Sequence, residues 1–193
     1  MIRRALTLLW LLLPVGVLAF HFNYGDTYVQ RERAAAHLRQ IGRLEAMDDK
    51  QKDWAQIIAE YDSLEREVAA IEPPKVIHQI RLARAKARLE MLDIATAITD
   101  LTTLLQETAV VHGEDAPVTR SVRETLGKAH YYATCLLQAN NSAESEWRPY
   151  AERARQLFRF LAEHEDPGVL TDYEHRVQVE FDRAAERMAG ASH

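Results

Sequence analysis

The chain has 193 residues, 27% of them charged and 47% hydrophobic, with a formal net charge of −5. That balance is globular rather than disordered, and the acidic excess excludes the basic surface that general nucleic-acid binding requires. A single cysteine, Cys135, excludes an intrachain disulfide; flanked by Thr134 and Leu136, it reads as a buried, inert side chain.

The N-terminus carries the first structural signal. Met1-Ile2-Arg3-Arg4 precedes an apolar run from Ala5 to Phe20 that contains Trp10, Pro14 and Gly16. Basic residues ahead of one apolar run keep the N-terminus in the cytoplasm and export the chain beyond the run. The chain therefore divides into residues 1–22, a transmembrane anchor or signal peptide, and residues 23–193, an exported helical domain. Val17-Leu18-Ala19 offers a signal-peptidase site. Phe20, His21 and Phe22 carry the apolar and aromatic character past it and favour a retained single-pass anchor. The expected location is the cytoplasmic membrane, with the C-terminal domain periplasmic or otherwise extracytoplasmic.

Glycines and prolines are few and fall between apolar stripes of helical period, and no stretch alternates as a strand does. The expected fold class is all-α, an N-terminal membrane helix followed by antiparallel helical hairpins. A first helix runs from about Asp26 to Met47. Arg31, Arg33, Arg39 and Arg43 within it are interleaved with Glu32 and Glu45, which does not favour a lipid-binding face. A second helix opens at Asp53 and carries Trp54, Ile57, Ile58, Tyr61, Leu64, Val68 and Ile71 at spacings of three and four. Pro73-Pro74 stops it. A third spans Val76 to Leu92 and a fourth Ile94 to Val110. After the loop His112–Pro117, a fifth runs from Val118 to Gln138, with Val122, Leu126, Ala129, Ala133, Leu136 and Leu137 on one face. Asn140-Asn141-Ser142 breaks the chain again. The sixth, Glu146 to His164, has Pro149 in its first turn and a stripe of Trp147, Tyr150, Ala151, Ala154, Leu157, Phe158 and Leu161 that reads as core. Asp166-Pro167-Gly168 ends it, and a last helix from Val169 carries Tyr173, Val177, Phe181, Ala184 and Met188.

Two segments are similar to a known repeat. Leu92-Asp93-Ile94-Ala95-Thr96-Ala97-Ile98, with Leu101, Leu104 and Leu105, resembles the turn and second helix of a tetratricopeptide repeat. Leu126-Gly127 and Tyr131, followed by Ala154, Phe158 and Pro167, resemble the motif a second time. The resemblance covers about residues 76–168. Leu92 stands where the turn glycine is expected, Arg84, Ala85 and Arg88 replace the usual first-helix residues, and the loop Asn140–Ser145 lengthens the second unit. Such a resemblance implies a solenoid of helix pairs that presents a concave surface to a peptide or a partner domain.

Chemistry-bearing motifs are sparse. The histidines His21, His37, His78, His112, His130, His164, His175 and His193 form no His-x-x-x-His or His-Glu-x-x-His pair. His112 with Glu114 and Asp115, and His164 with Glu165 and Asp166, read as solvated charges near helix ends rather than metal ligands. His130, beside Tyr131, reads as packed or half-exposed rather than catalytic. No serine sits in a glycine elbow, and no glycine-rich phosphate loop is present. The expectation is a chain that is not an enzyme and takes no cofactor or metal.

One charged pattern stands above the background. Arg81, Arg84 and Arg88 lie along one side of the third helix. In the groove that the resemblance implies, three guanidinium groups would clamp an acidic segment of a protein partner. The alternative is a solvated face balanced by acids such as Glu90 and Asp93. The function expected is a membrane-tethered scaffold that binds a protein partner in assembly of a cell-envelope complex. A cleaved, soluble periplasmic ligand-binding protein or enzyme is the other reading.

Overall fold

The computed structural model describes residues 26–48 and 51–163, and all regular structure among them is helical. The elements are α1 (Asp26–Glu45), α2 (Trp54–Val68), α3 (Pro74–Glu90), α4 (Ile94–His112), α5 (Pro117–Ala139) and α6 (Glu144–Glu163). Each helix packs on the next in chain order, and α3 also reaches α5. The all-α class is thus observed. No helix among the described residues is long and apolar enough to cross a membrane; the expected anchor in residues 1–22 and the expected helix from Val169 lie outside them.

Local chemistry explains the helix ends. Asp53 caps α2, its Oδ1 accepting from the Gln56 N–H at 3.0 Å. Pro73-Pro74 does more than stop a helix: Pro74 is the first residue of α3, where its missing N–H costs nothing and its φ is already helical. Pro117 opens α5 in the same way. Between α3 and α4 the Leu92 N–H donates to Leu89 C=O at 3.0 Å and the Asp93 N–H to Arg88 C=O at 2.9 Å. That is the double hydrogen bond of a Schellman cap, and it sets Leu92 at φ 59°. The turn after α5 repeats it: Asn141, at φ 56°, donates to Gln138 and Ser142 to Leu137. Asparagine tolerates that conformation; leucine at Leu92 costs about 1 kcal/mol against glycine.

The expected position of Pro149 needs correction. α6 begins at Glu144, two residues earlier than expected, so Pro149 lies inside the helix and not in its first turn. Glu144 and Glu146 draw the start forward by placing acid against the positive end of the helix dipole. The Ser145 carbonyl consequently loses its intrahelical N–H partner.

Burial divides the side chains into two clusters that meet at α3. Ile80 and Ala87 join Ala34, Ile41 and Leu44 of α1 and Ile57, Tyr61, Leu64 and Val68 of α2. Leu82, Ala85 and Leu89 join the larger cluster, with Leu101 and Leu104 of α4, Val122 and Leu126 of α5, and Leu157 and Phe158 of α6. The stripes expected on α2 and α5 are therefore core. The α6 stripe divides: Phe158 is buried, Trp147 half-buried and Tyr150 exposed. Cys135 is half-buried against the larger cluster.

Gly127 is needed for the α5–α6 approach. A Cβ there would meet the Phe158 ring, with Cζ 2.9 Å away. Gly127→Ala gains about 1 kcal/mol of helix propensity but loses about 1–3 kcal/mol to overpacking. The expected outcome is lower stability in urea unfolding, with Phe158→Leu costing less in the Gly127→Ala background than alone.

Candidate functional site

The three arginines sit on the side of α3 that faces α2 and α4, and each is already bound within the chain. Arg81 Nε donates to Glu65 at 2.5 Å and its Nη1 to Glu107 at 2.7 Å. Arg84 Nη1 lies 2.5 Å from Asp62 and 2.8 Å from Glu65, with Asp100 at 3.9 Å from Nη2. Arg88 Nη1 donates to Asp100 at 2.6 Å. The order follows from antiparallel packing. Arg81 and Arg88 are seven residues apart and pair, in reverse order, with Glu107 and Asp100, also seven apart. Arg81 and Arg84 likewise meet Glu65 and Asp62 in reverse order.

The neutralising acids are thus on the neighbouring helices. Arg81, Arg84, Glu65, Asp100 and Glu107, together with Thr103 and Leu104, line a polar recess of about 220 Å³. Arg84 is its centre: its side chain is 16% exposed, and its buried Nε has no hydrogen-bond partner among the described residues. Burial opposes the charge on Arg81, but Glu65 and Glu107 outweigh it and raise its affinity for the proton. An acidic partner segment would share these guanidinium groups with the chain's own carboxylates.

His78 and His112 converge at one end of this network. His78 Nδ1 lies 3.0 Å from His112 Nε2, the rings meeting edge to face at 5.1 Å. His78 Nε2 is 3.6 Å from Glu107, the same carboxylate that binds Arg81. The two histidines are 34 residues apart, so no local spacing announces the pair. Among the described residues no group of three or more His, Cys, Asp or Glu is placed to hold a metal ion. Glu114, named with His112 in the sequence, instead binds Arg123, whose guanidinium also stacks on Phe160 at 3.9 Å. His164, Glu165 and Asp166 lie outside the described residues.

His130 packs beside Tyr150, ring centroids 5.8 Å apart, and its buried Nδ1 has no partner among the described residues. Burial, with Arg153 adding a like charge, pushes its pKa down to about 4.

A second concave feature lies on the other side of α3. α1 and α3 stand apart over α2 and leave an open groove of about 420 Å³. Its walls are Ala34, Ala35 and Leu38 of α1 and Val76, Ile80 and Ala83 of α3, and its floor is Tyr61, Leu64 and Val68. Small alanines on both walls make the space. Leu38 is 55% exposed beside it, and Tyr28 projects from an earlier turn of the same α1 face. The Tyr61 hydroxyl donates to Glu45 at 2.8 Å, and burial together with that carboxylate raises its pKa well above the ordinary tyrosine value. The sequence carries a hint of this groove in the Ala34-Ala35-Ala36 run of α1. No family model, curated protein or solved structure matches the chain.

Two outcomes are expected. Arg84→Met leaves Asp62 without its cation, while Glu65 keeps Arg81 and Asp100 keeps Arg88, and costs about 1–3 kcal/mol in chemical denaturation. Arg39→Met, which removes an exposed pair with Glu32, stays within about 0.5 kcal/mol. For His130 the folded state prefers the neutral ring, so its contribution is complete above the ordinary value of about 6.5. It is lost as pH falls from there through about 4. The thermal midpoint of the wild type therefore drops more steeply over that window than that of His130→Asn.

Proposed function

We propose that the chain is a membrane-tethered, non-catalytic scaffold of tetratricopeptide-like build that binds a protein partner, in assembly of a cell-envelope complex. The observation that carries the reading is the open apolar groove between α1 and α3. A concave cleft lined mainly by apolar side chains is a usual form of binding site. An amphipathic helix or short apolar segment fits such a groove, with its anchors spaced to match two turns of α1 and α3. Consecutive antiparallel helices, the additional α3–α5 contact and the Gly127–Phe158 approach support a repeat-like build. The tether rests on Arg3, Arg4 and the apolar run after them; it holds the groove near the bilayer and raises the local concentration of membrane-bound partners.

Arg81, Arg84 and Arg88 have a part in this reading as well. They fix α2, α3 and α4 in register, and so set the wall and floor of the groove from the opposite side of α3. A direct clamp on an acidic partner would use the same guanidinium groups, shared with their carboxylates.

The test is site-specific photocrosslinking in cells, with the full-length protein, at Leu38 and Ala83 and, as a control, at the exposed Val110 of α4. One stoichiometric envelope partner is expected from the two groove positions and not from Val110, with the intact mass showing an uncleaved N-terminus. Leu38→Glu should reduce the yield from Ala83 about tenfold, a loss of about 1.4 kcal/mol. A mature N-terminus at Phe20 and no groove-specific adduct would overturn the proposal.

A further inference from the structure

We propose that His78 and His112 form a proton-sensitive latch that closes the open end of the α3–α4 hairpin. The two helices are joined at one end by the tight turn through Leu92. At the other end the chain enters α3 from Pro73 and leaves α4 at Gly113. There the imidazole pair spans the two helices at 3.0 Å. His78 belongs to the second turn of α3 and is 6% exposed; His112 is the last residue of α4.

An N–H···N bond between two imidazoles needs one donor and one bare lone pair. The neutral pair satisfies this, and so does a pair carrying one extra proton, in which the imidazolium donates to its neighbour. With a second extra proton both facing nitrogens carry hydrogen, no acceptor remains, and two like charges stand in contact. The bond then becomes a repulsion. The latch is therefore closed near neutrality and opens in acid.

The surroundings decide how readily this happens. Burial, then the neighbouring His112 charge, lowers the proton affinity of His78; Glu107 on α4 opposes them, and Arg81 on α3 adds to them. Glu107 is shared with Arg81, and Arg81 is shared with Glu65 of α2, so the acid's help to a protonated His78 is divided. α5 brings Arg120 and Arg123 to the same end of the array, Arg123 being held by Glu114. Because the folded state lowers the affinity of His78, the latch contributes fully above the ordinary histidine value and is lost as pH falls from there through the lowered value at which His78 takes the second proton. The geometry stands independently of the function proposed above; an exported location would expose the latch to the acidity outside the cytoplasm.

The experiment is hydrogen exchange by mass spectrometry on the full-length protein in detergent, at about pH 7.5 and about pH 5, corrected for intrinsic exchange rates. Peptides covering residues 74–80 and 106–113 should lose about tenfold in protection in acid, while those in the middle of α3 and α4 change less. His112→Gln, whose amide still bonds His78 but takes no charge, should keep its protection within about twofold over the same interval. Wild-type protection that does not change, or the same loss in wild type and variant, would overturn the latch. If His112→Gln does not fold, the wild type decides alone through the NMR titration of its histidine ring protons. The His78 signal should respond in two coupled steps, the second below the ordinary histidine range; a single ordinary step would refute the proposal.

Discussion

α3 is bounded by hydrocarbon on two sides and by charge between them, and the rest of the architecture depends on that division. Ile80 and Ala87 face one cluster, Leu82, Ala85 and Leu89 the other, and Arg81, Arg84 and Arg88 occupy the arc between. A helix with apolar residues on two sides cannot rest on one neighbour, so α2 and α4 must both flank it. The arginines then lie against whatever those two helices present. Four carboxylates meet them there. Partial burial favours this pairing, because an unpaired charge there would lose part of its hydration without a counter-charge. The attraction adds less to net stability than to register: a slip of either neighbour by one turn would set Glu107 or Asp62 against the wrong guanidinium.

Much of this is legible in the sequence because it is written in local spacing. The order of the six described helices, the Asp53 cap, the turn at Leu92 and the break at Asn140–Ser142 all follow from patterns within a few residues. The left-handed Leu92 is the instructive case: the repeat-like alignment asks for glycine there, and the backbone adopts the glycine conformation with leucine in place. At the start of α6 the sequence misleads, because Pro149 resembles a start signal whereas the acids Glu144 and Glu146 govern. The hidden features depend on pairs distant in the chain. Arg81 and Glu107, or His78 and His112, come together only when the antiparallel register is fixed. The matched seven-residue spacings of Arg81–Arg88 and Asp100–Glu107 reveal the first pairing only once that register is assumed. The groove depends on how far α1 and α3 splay, which no spacing encodes.

Charge and hydrocarbon thus divide the labour between the two sides of α3. On one side, the charges are paired within the chain, apart from the unbonded Arg84 Nε, and leave a small recess among them. On the other, an open groove runs between α1 and α3, lined by side chains that are mostly buried, with Leu38 exposed at its wall. Surface that a chain fails to satisfy internally is where affinity for another molecule originates, since burying it releases water without breaking an existing bond. That asymmetry directs the functional reading to α1 and α3 rather than to the arginines.

Among the described residues the two apolar clusters differ in size, nine buried side chains on the α1–α2 side against fourteen on the other, and of the described helices only α3 belongs to both. Under a load applied between residues 26 and 163, these are two springs in series with unequal yield points. The α1–α2 hairpin gives way first, and α3 keeps its remaining contacts with α4 and α5. Unravelling residues 26–72 would release roughly 150 Å of chain at about 3.3 Å per residue before the larger cluster carried the strain. The smaller cluster is therefore placed as a mechanical fuse ahead of the larger one.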